Sequence, residues 1–389
     1  MAALGVVLIT ITTVVFPALI LRSLGGFEDH MGVNPFETGV WTYPFLITNL
    51  VLLGIGIVYF KNKLPQSIAK SIRFIFNFEI SAQVACIVII CLIGIYISFS
   101  VSELFDDVYD PDYYERVKSW LENWSITDIN TVGLWYHLQL FLLTTSMKVF
   151  GSYEVVPFIA SIALPVLTYL VTAEISKKRF AGIVSMVIVL QSGIFLIYDT
   201  SVSYPNFWIL FYLLSLYLIY KKQPLSAISW LLSILSKAMT AAFLPMTLFF
   251  IYESNITRQK KIRLAVSYGV IVVLGIVLLS VAGVSLLEVG KFNSHDFWGG
   301  FTAFSSEFRF DGLVLVLLLP LTVGLFIASR RRVAHTDSIM FLIMGMLLSA
   351  PLMQGFSDLI NAPYRFVPLV VFFAIGVGIL LSKKITEAT

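Results

Sequence analysis

The sequence has few charged residues, few histidines and almost no cysteine. Charged residues fill 13% of its 389 positions and hydrophobic residues 58%, and the mean hydropathy is +0.90. Soluble domains carry roughly 25% charged residues, so the composition predicts a polytopic membrane protein. Its two cysteines, Cys86 and Cys91, share one apolar run. This spacing argues against a disulfide framework or a zinc site and predicts packing residues.

Several motifs of soluble enzymes are also missing. There is no glycine-rich phosphate loop, no HExxH sequence, no low-complexity segment and no clear internal repeat. Nucleic-acid-binding motifs are absent as well, and the net charge of +3 reflects insertion into a membrane. We therefore expect neither a cytosolic nucleotide site nor a nucleic-acid partner.

Apolar runs recur along the whole chain, each of a length that can cross the hydrocarbon core as a helix. About twelve such spans are predicted, which makes the expected fold an all-α polytopic membrane protein. The predicted spans are 3–22, 43–60, 81–100, 153–174, 181–198, 205–220, 224–236, 238–252, 264–282, 311–329, 338–354 and 365–382. We divide the chain into an N-terminal two-helix hairpin (1–75) and a core (76–389) with a long outer loop at 101–151.

Lysine and arginine cluster on alternate turns, and these turns are expected to face the cytoplasm together with both termini. The clusters begin at Lys61, Lys177, Lys221, Arg258, Arg330 and Lys383. The same alternation places the loop 101–151 and the turn 199–205 on the outer side. The sequence does not distinguish a plasma membrane from an endoplasmic reticulum membrane.

The loop beginning SVSELFDDVYDPDYYERVKSW gathers carboxylates directly after a span. Its candidate catalytic residues are Asp106, Asp107, Asp110 and Asp112. A carboxylate that borders low dielectric is easier to protonate and can serve as a base, although a solvated acidic loop is the simpler alternative. Two amphipathic segments of the loop, DPDYYERVKSWLENW and residues 134–151, are predicted to be interfacial helices.

Four further polar residues lie at predicted outer edges. Asp199 occupies a tight turn, where it either faces a polar cavity or caps its own backbone. Lys237 and Arg365 are exceptions to the cytoplasmic bias, and outward cations at span ends suit a lipid phosphate or ordinary phospholipid headgroups. His137 is a candidate ligand or proton carrier, or else an interfacial anchor.

These motifs and their order resemble the GT-C class of integral-membrane glycosyltransferases. FDDVYD resembles the FDE-type signature of the mannosyltransferases, and DPDYY resembles the aspartate–tyrosine form of other members. SKAMTAAFLP resembles a Ser/Thr-Lys motif with a downstream proline, and PYRFVPLV resembles an Arg-aromatic motif that opens a late span. The chain departs from the family at Asn206, where an aspartate is common, and in the two spans that precede the family core.

The resemblance implies transfer of a sugar from a polyprenyl-phosphate donor to a glycan, lipid or protein acceptor at the outer membrane face. Asp106 or Asp107 would be the base, with Asp110 and Asp112 as the alternative register. Lys237, Arg365 and His137 would bind the donor, and Asp199 would orient the acceptor or help to hold Mg²⁺ or Mn²⁺, which the chemistry does not require. A secondary transporter or lipid flippase, and a non-catalytic subunit with a transferase fold, stay open as alternatives.

Overall fold

The computed structural model describes residues 1–15, 38–39, 42–61, 63–105, 114–123, 137–281, 292–294, 296–297, 311–356 and 363–382. This described part is helical and contains no strand, as the sequence predicts. In chain order its α-helices are α1 (Ala2–Val15), α2 (Thr42–Phe60), α3 (Gln66–Asn77), α4 (Ala82–Ser100), α5 (Tyr114–Asn123), α6 (His137–Phe150), α7 (Val155–Ser176), α8 (Arg179–Leu190), α9 (Gly193–Ile197), α10 (Phe207–Lys221), α11 (Gln223–Ser236), α12 (Leu244–Glu253), α13 (Arg258–Val281), α14 (Gly312–Arg330), α15 (Thr336–Phe356) and α16 (Val367–Leu380). Short 3₁₀ turns lie at Val101–Phe105, Ala238–Phe243 and Pro363–Phe366.

Among the described residues, α4, α7 and α14 are long and apolar enough to cross a membrane. Several other apolar helices, including α1, α8, α10, α11 and α16, have between 10 and 17 residues. The helical, membrane-type character is therefore confirmed, whereas a count of twelve full-length spans is not.

Helix α16 lies at the centre of the described bundle, in contact with α7, α8, α14 and α15. Nearly every residue of its sequence VPLVVFFAIGVGIL is buried, as expected of a helix that is apolar all round. Small residues allow this close packing: a Cβ at Gly378 would lie 2.2 Å from Cγ2 of Thr172. Ser185 of α8 donates a hydrogen bond to the carbonyl of Ala374 at 2.7 Å.

A row of serines joins α11 to α10. Ser226, Ser229 and Ser233 each donate a hydrogen bond to an α10 carbonyl, at 2.8, 2.8 and 2.6 Å. Their spacing of three and four residues keeps them on one helix face. Interhelical hydroxyl bonds of this kind hold helices together where no hydrophobic driving force exists between them.

Helices form in both segments that the sequence predicts to be interfacial, and the first of them, α5, packs on protein. Val117 and Leu121 of α5 are buried in one cluster with Leu140 and Leu143 of α6. The sequence predicts that this apolar face lies on the membrane surface, because amphipathicity alone does not say what covers an apolar face. Their contact makes α5 and α6 a packed pair.

Two further expectations are corrected. The predicted span 181–198 is divided into α8 and α9, because Ser192 accepts a hydrogen bond from the Phe195 amide at 3.1 Å and caps a new helix. Cys86 and Cys91 are exposed on α4, whose membrane-length window is only 11% buried. Hydropathy predicts neither where a side chain caps a new helix nor which residues of a peripheral helix are exposed.

Basic turns lie close together at one end of the helices. The Lys178 ammonium donates to the carbonyl of Phe76, which lines a crevice shared with Arg331. Lys221, at the end of α10, pairs with Glu174 at 2.6 Å. These contacts join the end of α3 to the basic turns before α8, α11 and α15.

The turn between α14 and α15 buries His335 at the same end. Its Nε2 contacts the Tyr220 hydroxyl and its Nδ1 lies 3.2 Å from Ser338 Oγ, in a left-handed backbone conformation with φ of 65°. Burial, together with the charges of Lys261 and Lys177, lowers the pKa of the imidazole to about 3. His335 is therefore neutral at pH 7.

Candidate functional site

Two cations from distant parts of the chain meet at the ring of Tyr364. Lys237 follows α11, and its Nζ lies 4.2 Å from the Tyr364 ring centroid. Arg365 belongs to the 3₁₀ turn before α16, and its Cζ lies 5.7 Å from the same centroid. The fold thus brings together the two cations that the sequence singles out as exceptions to the basic clusters.

Arg365 is only 4% exposed. Its Nε donates to the Tyr364 hydroxyl at 3.2 Å, while its buried Nη1 has no hydrogen-bond partner among the described residues. A buried donor without a partner costs about 1–3 kcal/mol, and more on a charged group. The guanidinium therefore offers an unused donor to an oxygen ligand.

Lys237 carries a charge that aromatic rings surround. Its Nζ also lies 5.6 Å from the Trp208 ring centroid. Burial lowers the pKa of the ammonium, and the Arg365 charge does the same, whereas Tyr364 partly offsets both effects. Within the described ranges, ion pairs join Lys177 and Lys221 to Glu174, and none reaches Lys237 or Arg365.

Tyrosines hold Tyr364 in place. Tyr204 stacks on it with centroids 3.8 Å apart and an angle of 11°, and Tyr198 meets both rings edge-on at 6.0 Å. Tyr198 and Tyr204 come from the turn between α9 and α10, where the sequence reads YDTSVSYPN. We call Tyr198, Tyr204, Tyr364 and Trp208 the aromatic cluster.

Local sequence explains where Lys237 stands. The helical run of α11 ends there, because Lys237 adopts an extended conformation with φ −159° and ψ 112°. Its amide still donates to the Ser233 carbonyl at 2.9 Å, and its own carbonyl accepts from the Thr240 amide at 3.0 Å. Ser233 is one of the residues that fix α11 to α10, so the serine row also fixes the position of Lys237.

Asp199 is 1% exposed and accepts a hydrogen bond from the Tyr96 hydroxyl at 2.7 Å. Tyr96 comes from α4 and also contacts the rings of Phe158 and Phe195. Asp199 thus binds a side chain from another helix, and it directly follows Tyr198 of the aromatic cluster.

Asn206 and Gln139 support the same turn. The Asn206 amide donates to Ser161 Oγ at 3.0 Å and to the Tyr198 carbonyl at 3.5 Å. Gln139 donates to the Ser203 carbonyl at 3.3 Å. His137, which begins α6 two residues earlier, is partly buried. Asn206 therefore has a structural role, and α6 is attached to the turn that carries Asp199.

Asp311 is not among the candidate residues that the sequence singles out. It is 5% exposed, immediately precedes α14 and accepts a hydrogen bond from Ser192. Ser192 caps the start of α9 and Asp199 follows the end of that helix, so this short helix has a buried carboxylate near each end. The sequence signal was slight, since an acid before an apolar run is common at helix starts.

The loop carboxylates Asp106, Asp107, Asp110 and Asp112 lie outside the described residues. Helix α4 and the 3₁₀ turn that ends at Phe105 lead to them, and α5 follows them. Across the described ranges, no group of three or more histidine, cysteine or acidic side chains could hold a metal ion. Two carboxylates that are described, Asp199 and Asp311, bind hydroxyl donors.

The arrangement of Lys237 and Arg365 suits an anion with several oxygens. Lysine supplies a point charge, and arginine supplies the fork of donors that matches phosphate. Two rings of the aromatic cluster, Tyr364 and Trp208, contact the Lys237 ammonium and help to hold it in place. Comparison of the chain with protein families, curated proteins and solved structures found no match.

Proposed function

We propose that this protein is an integral-membrane glycosyltransferase that uses a polyprenyl-phosphate sugar donor. The observation that carries the proposal is the pair of cations at Tyr364, with one buried donor of Arg365 left unused. A leaving phosphate would complete this site, since its oxygens can accept from Nη1 and sit beside Lys237.

The proposal includes a bundle of about twelve spans with its basic turns in the cytoplasm. Contacts among Lys178, Arg331 and Lys221 and their partners support one basic end. Helix α11 begins beside Lys222 at this end and reaches Lys237 after 14 residues, a length of about 21 Å. The cation pair is thereby assigned to the opposite, outer side, as is the loop 101–151.

In this mechanism the acceptor hydroxyl attacks the anomeric carbon of the sugar. Asp106 or Asp107 takes the hydroxyl proton as the new bond forms, and the bond from carbon to the phosphate oxygen breaks. The lipid phosphate leaves with that electron pair, and Lys237 and Arg365 stabilise its charge. Asp199 orients the acceptor; a divalent cation would add further charge stabilisation if the loop carboxylates bind one.

The test is release of lipid phosphate from a panel of radiolabelled polyprenyl-phosphate sugars, with purified protein in detergent and with or without EDTA. We expect Asp106→Asn combined with Asp107→Asn to abolish release while leaving donor binding intact. Lys237→Met should lower both binding and release. Lys222→Met, the same change at the exposed other end of α11, is the matched control.

Activity that survives in the double aspartate variant would contradict the assignment of the base. Donor binding without turnover by the unaltered protein would instead favour a non-catalytic subunit. If no donor binds, the cation pair serves another anion, and transport of lipid-linked sugars becomes the next assay.

A further inference from the structure

Helix α3 lies where the sequence predicts a basic turn that begins at Lys61, and it is amphipathic. At 100° per residue its polar side carries Gln66, Lys70, Arg73 and Asn77. The opposite side carries Ile68, Ile72, Ile75 and Phe76. Lys61 and Lys63 precede the helix, and residues 61–77 include no acidic residue.

The apolar side of α3 is largely exposed in the part of the chain that the structure describes. None of its residues is buried, and Ile68 and Ile75 are 48% and 49% exposed. Hydrogen bonds fix the end of the helix and the segment that follows it: the Phe76 carbonyl accepts from Lys178, and Glu79 accepts from the Arg179 amide at 3.0 Å. An exposed apolar side beneath a basic one is the pattern of a helix that lies in a lipid interface.

A crevice of about 250 Å³ opens beside the end of α3, between α2 and α14. Its walls are almost entirely apolar and include Leu53, Ile57, Phe76, Val323 and Ile327. The charged residue Arg331 also lines it. Gly56 widens it, since a Cβ there would meet no atom within 4 Å. Arg73 lies one helical turn before Phe76, so cations stand near the crevice on two elements.

We propose that α3 and this crevice bind an anionic phospholipid of the leaflet at the basic end of the bundle. The headgroup phosphate sits among Lys70, Arg73 and Arg331, and one acyl chain enters the crevice past Phe76. Charge complementarity selects this occupant, because the segment has basic residues without acidic ones and its apolar surface is continuous with an apolar cavity. Long basic side chains can reach the headgroups while their stems cover apolar surface.

This site lies at the opposite end of the helices from Lys237 and Arg365, and it does not depend on the proposed transferase activity. Its occupant is a structural or regulatory lipid. Loss of lipid binding here and loss of sugar transfer are therefore separate results.

The experiment is native mass spectrometry of the full chain purified in detergent, titrated with phosphatidylglycerol or with phosphatidylcholine. The first comparison uses two double variants. One combines Lys70→Gln and Arg73→Gln. Its control combines Lys260→Gln and Arg263→Gln, which neutralises two exposed cations on α13. The second pair compares Gly56→Leu, which fills the crevice, with Gly54→Leu on the same helix, where a Cβ also meets nothing within 4 Å.

We expect phosphatidylglycerol to be retained in preference to phosphatidylcholine. Neutralising Lys70 and Arg73 should weaken retention about 30-fold, the effect of two basic residues near an anionic surface, and Gly56→Leu should weaken it as well. Both control variants should bind as the unaltered protein does.

Equal loss in the α13 variant would overturn the site, because any basic surface would then suffice. Equal retention of phosphatidylcholine would overturn the role of charge. Full retention in Gly56→Leu would show that the crevice holds no acyl chain, and a bound protein in place of lipid would assign the surface to a protein partner.

Discussion

Replacing Lys237 with methionine should make the unliganded protein more stable and remove its response to a lipid phosphate. The Lys237 ammonium and the Arg365 guanidinium lie 4.2 Å and 5.7 Å from the centroid of the Tyr364 ring, so the two charges are less than about 10 Å apart. At an effective dielectric constant of about 20, two like charges at that separation repel by about 1.7 kcal/mol. Methionine relieves this repulsion and also the cost of burying the ammonium, which is on the order of several kcal/mol. It loses cation–π contacts, which are worth about 2 kcal/mol or more when water is excluded. The expected net effect is a gain in stability of about 1 kcal/mol or more.

The ligand response gives the second half of the test. A ligand at 100 times its dissociation constant stabilises the folded state by about 2.7 kcal/mol. Loss of a charged hydrogen-bond partner weakens binding by about 1.5–3 kcal/mol, which leaves a stabilisation of about 1 kcal/mol or less at the same ligand concentration. Farnesyl phosphate is the probe, and farnesol is its uncharged comparison.

Thermal unfolding in detergent measures both quantities for the unaltered protein, Lys237→Met and Lys222→Met. A Lys237→Met protein that is less stable without ligand, and that still responds fully to farnesyl phosphate, would refute the reasoning. The cation pair would then be a stabilising element of the fold and not an anion site.

Two further predictions concern packing and pH. Gly182→Ala should destabilise the protein by about 1–3 kcal/mol, because the added Cβ would lie 2.8 Å from the Tyr169 carbonyl oxygen. Gly94→Ala is the control and should be neutral or stabilising, because Gly94 borders open space. Equal melting temperatures of the two variants would contradict this prediction. The lowered pKa of His335 means that the unfolded chain takes up a proton below about pH 6.5 while the folded one does not, so stability should fall by about 2 kcal/mol from pH 7 to pH 5. His335→Asn, which tolerates the left-handed backbone, should flatten that slope, and an unchanged slope would assign it to other groups.

Hydropathy predicted most helix positions well. The predicted spans 81–100, 153–174 and 311–329 match α4, α7 and α14 closely, because an apolar run long enough to cross a bilayer has few alternatives to a helix. It failed at Ser192, where a hydroxyl cap divides a continuous apolar run. It also missed α3, since a 12-residue amphipathic helix has a low mean hydropathy and is visible only through its 3.6-residue period.

The sequence predicts which two cations form the site but not that they meet. Lys237 and Arg365 stood out because they break the cytoplasmic bias of basic residues, but their meeting at Tyr364 depends on packing between segments far apart in sequence. Nothing local in YDTSVSYPN predicts that Tyr204 stacks on Tyr364. The Ser192–Asp311 contact was missed for the same reason. The loop aspartates remain a prediction from sequence.

The serine row between α10 and α11 has a consequence for assembly during synthesis. These helices are joined by Lys222 alone, and their hydroxyl contacts are local in sequence. The hairpin can therefore form while the ribosome is still translating, with Lys237 already in position at its far end. Arg365 emerges much later, just before the helix that occupies the centre of the bundle. The cation site is therefore complete only after α16 has packed into the bundle. A nascent chain arrested before Pro363 should bind no phosphate there.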